Sequence, residues 1–306
     1  MPLPEEAPAP SAREAALRLW IERQSRLYRV AAPLLINNTE LCPQHRRPIL
    51  GFTAKNRYSF SGDFVEAAQS ALGLGDELRV MDVLPGSGAE QAGMRKGDEL
   101  IAVEIEPAPQ GPDAEHAAAA LIGEEMQDRD SLHLILRRDG QRMALDVPLT
   151  PACAMVLGLG NTEQARSFSD GRRVMVTSGM LNFVRSDEEL AYVLAREIAR
   201  NALMPDERTD MKLQIDRLHA LDAREPDPLP PASAPPQADA VDRLALYMLA
   251  RAGYDIDGFG PFGERLAAHV NGAEAARPDS GLDISPLAQA VREVKAKKAD
   301  GLPLLP

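Results

Sequence analysis

Between Ser11 and Leu41 apolar residues recur three and four positions apart: Ala15, Leu17, Trp20, Ile21, Leu27, Val30, Ala31 and Leu34. That spacing gathers them on one face of an amphipathic helix or helix pair. Over residues 48–149 the rhythm changes to short apolar runs divided by glycine-rich turns, with one alanine-rich helical stretch, Asp113–Gly123, N-capped by Asp113. Val80–Leu84 and Glu99–Val103 read as strands; Gly93 and Gly97 between them suit turns of positive φ, and Asp98 leads into the second strand. Leu132–Leu136 and Met143–Leu149 read as a hairpin about Asp139-Gly140.

From Ala152 onward the order is a strand, a hairpin over Ala165–Thr177 turning at Asp170-Gly171, and a long helix. Ser186-Asp187-Glu188-Glu189 opens that helix as a capping box. A proline-rich break, a second long helix and a weaker helical tail follow. The break, Asp222–Pro236, holds six prolines and almost nothing to pack, so it reads as an extended linker rather than a recognition motif.

With 306 residues and 44% hydrophobic content the chain can bury a sizeable core in two domains. Its formal charge of −12 argues against nucleic acid or an anionic membrane as partner. No apolar run nears the roughly 18–20 residues that span a bilayer, so no transmembrane segment is expected. Met1–Ser11 is acidic and proline-rich, unlike a signal peptide, yet such a start also fits a chain whose export signal has been removed. Periplasm and cytoplasm both stay open on that count. Cys42 and Cys153 bracket the turn-rich segment. A disulfide between them would close a loop of about a hundred residues in an oxidising compartment, the alternative being two buried thiols.

Val80–Val103 (VMDVLPGSGAEQAGMRKGDELIAV) resembles a PDZ domain in its order of strand, glycine turn, short helical turn, second glycine turn and strand. Such domains take extended peptides as an added strand and hold the terminal carboxylate on backbone N–H groups. Ile49-Leu50-Gly51-Phe52, followed by an extended Thr53–Phe60, resembles the carboxylate loop and groove strand; Gly73-Leu74-Gly75 competes for the loop but leaves too few residues for the strand. The resemblance implies a peptide or protein ligand. The alternative is that the insert only packs on its neighbour.

Leu190–Asn201 (LAYVLAREIARN) has the shape of a zinc-protease helix, H-E-x-x-H, with Arg196 and Arg200 at the two ligand positions and Glu197 at the general-base position. The hairpin, the Thr177-Ser178-Gly179-Met180-Leu181 step, Ser186–Leu190 and this helix together resemble the zinc peptidases of the HtpX and CAAX-prenyl-protease type, from about Ala152 to Gly258. In that family a third ligand, a Glu, lies four residues before an Asp. Asp242 matches the Asp, which puts Ala238 at the ligand position. Asp283-Ile284-Ser285-Pro286 stands where active relatives carry a histidine-containing step. A guanidinium offers no lone pair, and none of the histidines 45, 116, 133, 219 and 269 has a partner at metal-binding helical spacing. Zinc is therefore expected to be absent, and no cofactor is expected.

The helix around Arg196 and Arg200 is apolar over much of its circumference, so both should be paired if buried, with Glu197, Asp242 and Asp239 as candidate carboxylates. Solvated arginines in an open cleft, or an arginine pair that captures an anion, are the alternatives.

These readings combine into an α+β fold: a zincin-like metallopeptidase domain, residues 1–47 and 151–306, interrupted by a PDZ-like β-rich domain over residues 48–150, with the linker at 222–236. The function implied is a catalytically inactive pseudopeptidase that binds polypeptide as an adaptor or regulator of envelope protein quality control. The rivals are an active zinc endopeptidase with an atypical or partner-completed site, and a purely structural subunit.

Overall fold

A computed structural model describes residues 11–204, 236–271 and 284–306. The linker expected at 222–236 falls outside them except for Pro236, as do Asp283 and His219.

One helix, α1 (Ala12–Ile36), replaces the helix-or-pair expectation. It opens on a capping box between Ser11 and Glu14, and it continues through Pro33. Its buried face, including Leu17, Trp20, Leu27, Val30 and Leu34, packs on the helices and sheet of the C-terminal half. The chain then runs through β1 (Arg46–Ile49), β2 (Phe52–Lys55), α2 (Val65–Leu72), β3 (Arg79–Val83), the short turn α3 (Gly88–Gln91), β4 (Glu99–Val103), β5 (Glu106–Pro107), α4 (Ala114–Glu125), β6 (Ser131–Arg138), β7 (Gln141–Pro148) and β8 (Thr150–Cys153).

β2, β3, β4, β6 and β7 lie side by side in that order, with β5 pairing β4. All described pairings in this sheet are antiparallel. Alternation along β6 drives Leu132, Leu134 and Leu136 into a core shared with Val80, Leu100, Val103, Ala114 and Ala118. Asp139 and Gly140 both take positive φ, 50° and 78°, as a two-residue turn between paired strands requires. The segment thus has the PDZ-like order of strands and wall helix. At its base β1 and β8 pair antiparallel, Arg46 opposite Cys153, and Cys42 is disulfide-bonded to Cys153 across 111 residues.

Three expectations for this segment need correction. The extended stretch expected over Thr53–Phe60 stops at Lys55, because Asn56 caps a 3-10 turn over Arg57–Ser59. A second helix, α2, was not expected, and Gly73 is its left-handed C-cap at φ 64°. That assignment removes Gly73-Leu74-Gly75 as a carboxylate loop. Asp113 stands at the N-cap of α4 but makes no capping hydrogen bond.

The C-terminal half contains β9 (Val156–Gly160), β10 (Ser167–Ser169), β11 (Arg173–Thr177), α5 (Ser178–Phe183), α6 (Asp187–Leu203), α7 (Ala238–Arg251), α8 (Phe259–Asn271) and α9 (Ile284–Ala299). Its sheet has the order β10-β11-β9, which leaves β10 on an edge. Ser186 Oγ accepts from Glu189 N–H to start α6. α6 and α7 pack through fully buried Leu190, Leu194, Ile198, Val241, Leu246 and Tyr247. Tyr247 donates to Glu293 of α9 at 2.6 Å, and Arg243 pairs with the same carboxylate at 2.6 Å. Those bonds hold the Glu293 carboxyl down to about 2. Asn38 donates to Leu34 O and Met248 O, tying the end of α1 to α7.

Candidate functional site

The first candidate is the free edge of β2. Leu84 N–H donates to Gly51 O at 2.8 Å, and Ala89 N–H donates to Leu50 O at 3.0 Å. The Ser87 hydroxyl also donates to Gly51 O, at 3.2 Å. A trans peptide points each N–H opposite the preceding C=O. With both carbonyls bonded within the domain, the Gly51 and Phe52 N–H groups each point away from those bonds. Phe52 is registered on Val83, and the Leu84-to-Gly51 bond beside it marks that pair as the non-hydrogen-bonded kind. Phe52 therefore turns its own N–H and C=O to the open edge.

Gly51 is required there. It sits at φ +90°, and a Cβ would come within 2.1 Å of Ser87 Cβ. Leu50 is buried, whereas Phe52, Ala54, Leu121, Ile122 and Met126 are partly buried apolar side chains of β2 and the α4 region. Ile49 instead packs toward the larger core. Two successive backbone N–H groups thus stand at the start of an edge strand beside partly buried apolar side chains, a combination that suits a C-terminal carboxylate and an apolar side chain.

The second candidate surrounds Glu197. This carboxylate is buried, at 5% exposure. It accepts from Ser167 Oγ at 2.9 Å and Ser169 Oγ at 2.7 Å, both from β10, and Arg200 Nε lies 3.3 Å away. Four residues on, Asn201 accepts from Gly171 N–H at 2.6 Å and donates to Arg173 O at 3.0 Å. Glu197 and Asn201 thus pin the β10–β11 hairpin onto α6. Arg196 Nε meets Asp242 Oδ1 at 2.7 Å, bridging α6 and α7.

The two arginines are not buried as their helix suggested: their side chains are 41% and 28% exposed. α6 buries its other faces and leaves this stripe at a cleft. Asp239 is exposed and, among the described residues, pairs with neither arginine. Ala238 is exposed at the start of α7. Burial raises the Asp242 carboxyl above its ordinary range, and Arg196 only partly pulls it back.

The donor chemistry here does not fit a zinc ion. Two guanidinium groups and a methyl group stand where the resemblance to zinc peptidases would put ligands, the Glu197 carboxylate is taken up by two hydroxyls and Arg200, and Asp242 is paired with Arg196. Among the described residues no group of three His, Cys, Asp or Glu side chains is placed to hold a metal.

Beside this network lies a cavity of about 240 Å³. Tyr192, Phe259, Phe262 and Leu287 supply apolar walls, and Arg196 and Asp242 stand at its polar side. Tyr192 stacks edge-on to Phe259, and burial pushes its hydroxyl up to about 12. Ser167, Ser169, Asn201 and the aromatic walls were not anticipated. The Ser-Phe-Ser alternation on a strand was the available signal for the two hydroxyls, since residues i and i+2 share a face.

Removing both arginines, Arg196→Ala with Arg200→Ala, should lower stability by about 1–3 kcal/mol, because Glu197 and Asp242 lose their cations. A carboxyl whose pKa is raised in the folded state costs stability as pH rises through that pKa. The deficit measured by urea unfolding should therefore be smaller at pH 4 than at pH 8. Parent-like melting at both pH values would exclude a clamping role.

No family profile matches the chain, and no curated protein matches it. Among solved structures, it is similar over part of its length to the HtrA3 PDZ domain bound to a phage-derived ligand (FGRWV). Identity there is 16% at a TM-score of 0.26, covering 35% of this chain and 88% of that one. A serine endoprotease from Yersinia pestis gives 21% identity and a TM-score of 0.23, over 35% of this chain and 30% of that one. The HtrA-type protease AlgW with decapeptide gives 21% and 0.25 over the same shares. The match spans less than a third of either protease. At these identities and TM-scores the likenesses carry no functional argument, and the edge geometry of β2 has to stand by itself.

Proposed function

We propose that this chain is a non-catalytic, metallopeptidase-like protein that captures the free carboxyl terminus of polypeptides, acting as an adaptor or regulator in protein quality control of the cell envelope. The observation that carries this reading is that the Leu50 and Gly51 carbonyls are both bonded within the domain at the start of an edge strand, which turns the Gly51 and Phe52 N–H groups away from those bonds, beside apolar side chains. The Cys42–Cys153 bridge supports an oxidising compartment. Arg196 and Arg200, tied to Asp242 and Glu197, support a pseudopeptidase half in which ion pairs hold the helices and hairpin together.

The test compares apolar peptides with a free carboxylate against their C-terminal amides by fluorescence polarisation, alongside zinc content and casein cleavage of the same preparation. Saturable binding lost on amidation, with no zinc and no cleavage, is the expected outcome. Stoichiometric zinc lost on Glu197→Gln, or cleavage stopped by a chelator, would overturn the non-catalytic half. Equal binding of amide and acid would overturn the carboxylate half.

A further inference from the structure

The cavity of about 240 Å³ beside the Glu197 network is bordered by α6, α7, α8 and α9. Tyr192 of α6 packs on both Phe259 and Phe262 of α8, with ring centres 5.8 Å apart in each pair, and Leu287 of α9 adds an aliphatic wall. The two cations that line it are already committed. Arg196 Nε meets Asp242 at 2.7 Å, and Arg243 holds both oxygens of Glu293, at 2.6 and 2.9 Å. Two further carboxylates, Asp239 in the first turn of α7 and Glu264 of α8, line the cavity while staying exposed, which puts them at its mouth. Among the described residues neither of them forms an ion pair.

With Arg196 matched by Asp242 and Arg243 by Glu293, the charge left over at the mouth is negative. An anion entering there would meet Asp239 and Glu264 and would have to compete with Asp242 for Arg196. A cation meets open carboxylates and aromatic rings whose quadrupole attracts positive charge. These rings already take one cation: the Arg265 guanidinium lies 5.5 Å from the centre of the Phe262 ring and is held by Glu189 at 2.5 Å. Burial keeps the Asp242 carboxyl above its ordinary range, and the neighbouring Asp239 charge adds to the effect, so a positive charge at the mouth would relieve both carboxylates. Cavities that take drug-sized ligands run from about 300 to 1,000 Å³. This one suits a smaller body.

We propose that the α6–α9 cavity binds a small organic cation, an amine protonated at neutral pH and carried on an aromatic or branched apolar body. The apolar body fills the space against Tyr192, Phe259, Phe262 and Leu287, and the ammonium group stays at the mouth with Asp239 and Glu264. The site lies in the other half of the chain from the β2 edge, so neither reading depends on the other.

The experiment titrates the full chain by NMR with probes that share a phenyl ring and differ in charge: 2-phenylethylamine, 2-phenylethanol and 3-phenylpropionate. The amine should bind about tenfold or more tightly than the alcohol, and the carboxylate should bind most weakly. The double variant Asp239→Asn, Glu264→Gln alters only exposed side chains, and it should erase the gap between amine and alcohol while leaving the Kd of the alcohol within about twofold. Ala290→Leu, which adds bulk to the cavity lining from α9, should weaken all of the probes. Alcohol or carboxylate binding as tight as the amine, no binding of the amine, or a gap that survives the double variant overturns the proposal. Binding indifferent to Ala290→Leu overturns the location; should that variant fail to fold, the double variant decides alone. A blocked tripeptide with a central lysine, acetyl-Ala-Lys-Ala-amide, separates a free amine from a basic side chain. Tighter binding of that peptide than of 2-phenylethylamine would make the occupant a polypeptide and overturn the small-molecule assignment.

Discussion

Reducing the Cys42–Cys153 bond in the otherwise unaltered protein is expected to lower its unfolding free energy by about 4–5 kcal/mol, the chain-entropy value for a closed loop of this length. The bond spans 111 residues and encloses β1 to β8, including the whole six-stranded sheet. It lies beside the β1–β8 ladder, where Arg46 opposes Cys153. Both cysteines are fully buried, so reduction leaves their packing in place and mainly frees the unfolded chain. Urea midpoints with and without reductant measure the loss directly. Because the two cores share few other covalent or ladder connections, hydrogen exchange in β2, β3 and β4 should quicken more than in α6 and α7. Coincident midpoints would show that the base is held by the β1–β8 ladder and α1 packing alone.

How much of this was legible beforehand depends on whether a feature is written in adjacent residues. Gly93 and Gly97 take φ of 79° and 95°, Asp139-Gly140 turns the hairpin, and Ser186 caps α6. Each is decided by local backbone chemistry, and a sequence displays it. The helix α2 was hidden for the opposite reason. Its eight residues, Val65–Leu72, lie between Gly62 and Gly73, and short helices among glycines read as turns until a larger surface stabilises them. Here Ala67 and Ala68 are buried in the core that contains α1.

The ion-pair network was legible only in outline. Asp242 meets Arg196, but Asp239, one turn nearer the helix start, stays exposed; which of two neighbouring carboxylates pairs is set by how α6 and α7 cross. Ser167 and Ser169 reach Glu197 from a strand some thirty positions away in sequence. Nothing local to Glu197 announces them. The same holds for Lys55 and Glu115, separated by 60 positions. Such contacts come from the approach of whole elements, so a periodicity can name the elements without naming the pairs.

Gly51→Ala should raise Kd for a free carboxyl terminus by about a hundredfold or more. A carboxylate held by two backbone donors gains about 1.5–3 kcal/mol from each charge-assisted bond, so losing their alignment is worth two decades at the least. The alignment depends on Gly51 alone adopting φ +90° while its carbonyl accepts from Leu84 N–H and the Ser87 hydroxyl. An alanine Cβ would stand 2.1 Å from Ser87 Cβ, and Ser87 is fixed by its place at the start of α3 and by its full burial. The loop must therefore rotate, and the Gly51 and Phe52 N–H groups rotate with it. Amidation supplies the control that separates loss of the carboxylate site from general damage. The parent should prefer acid over amide strongly, while Gly51→Ala should bind both equally weakly and keep the parent's melting behaviour in the α6–α7 core. A variant that still preferred the acid would mean that the carboxylate is held elsewhere, with the arginines beside the α6–α9 cavity the next cations to test.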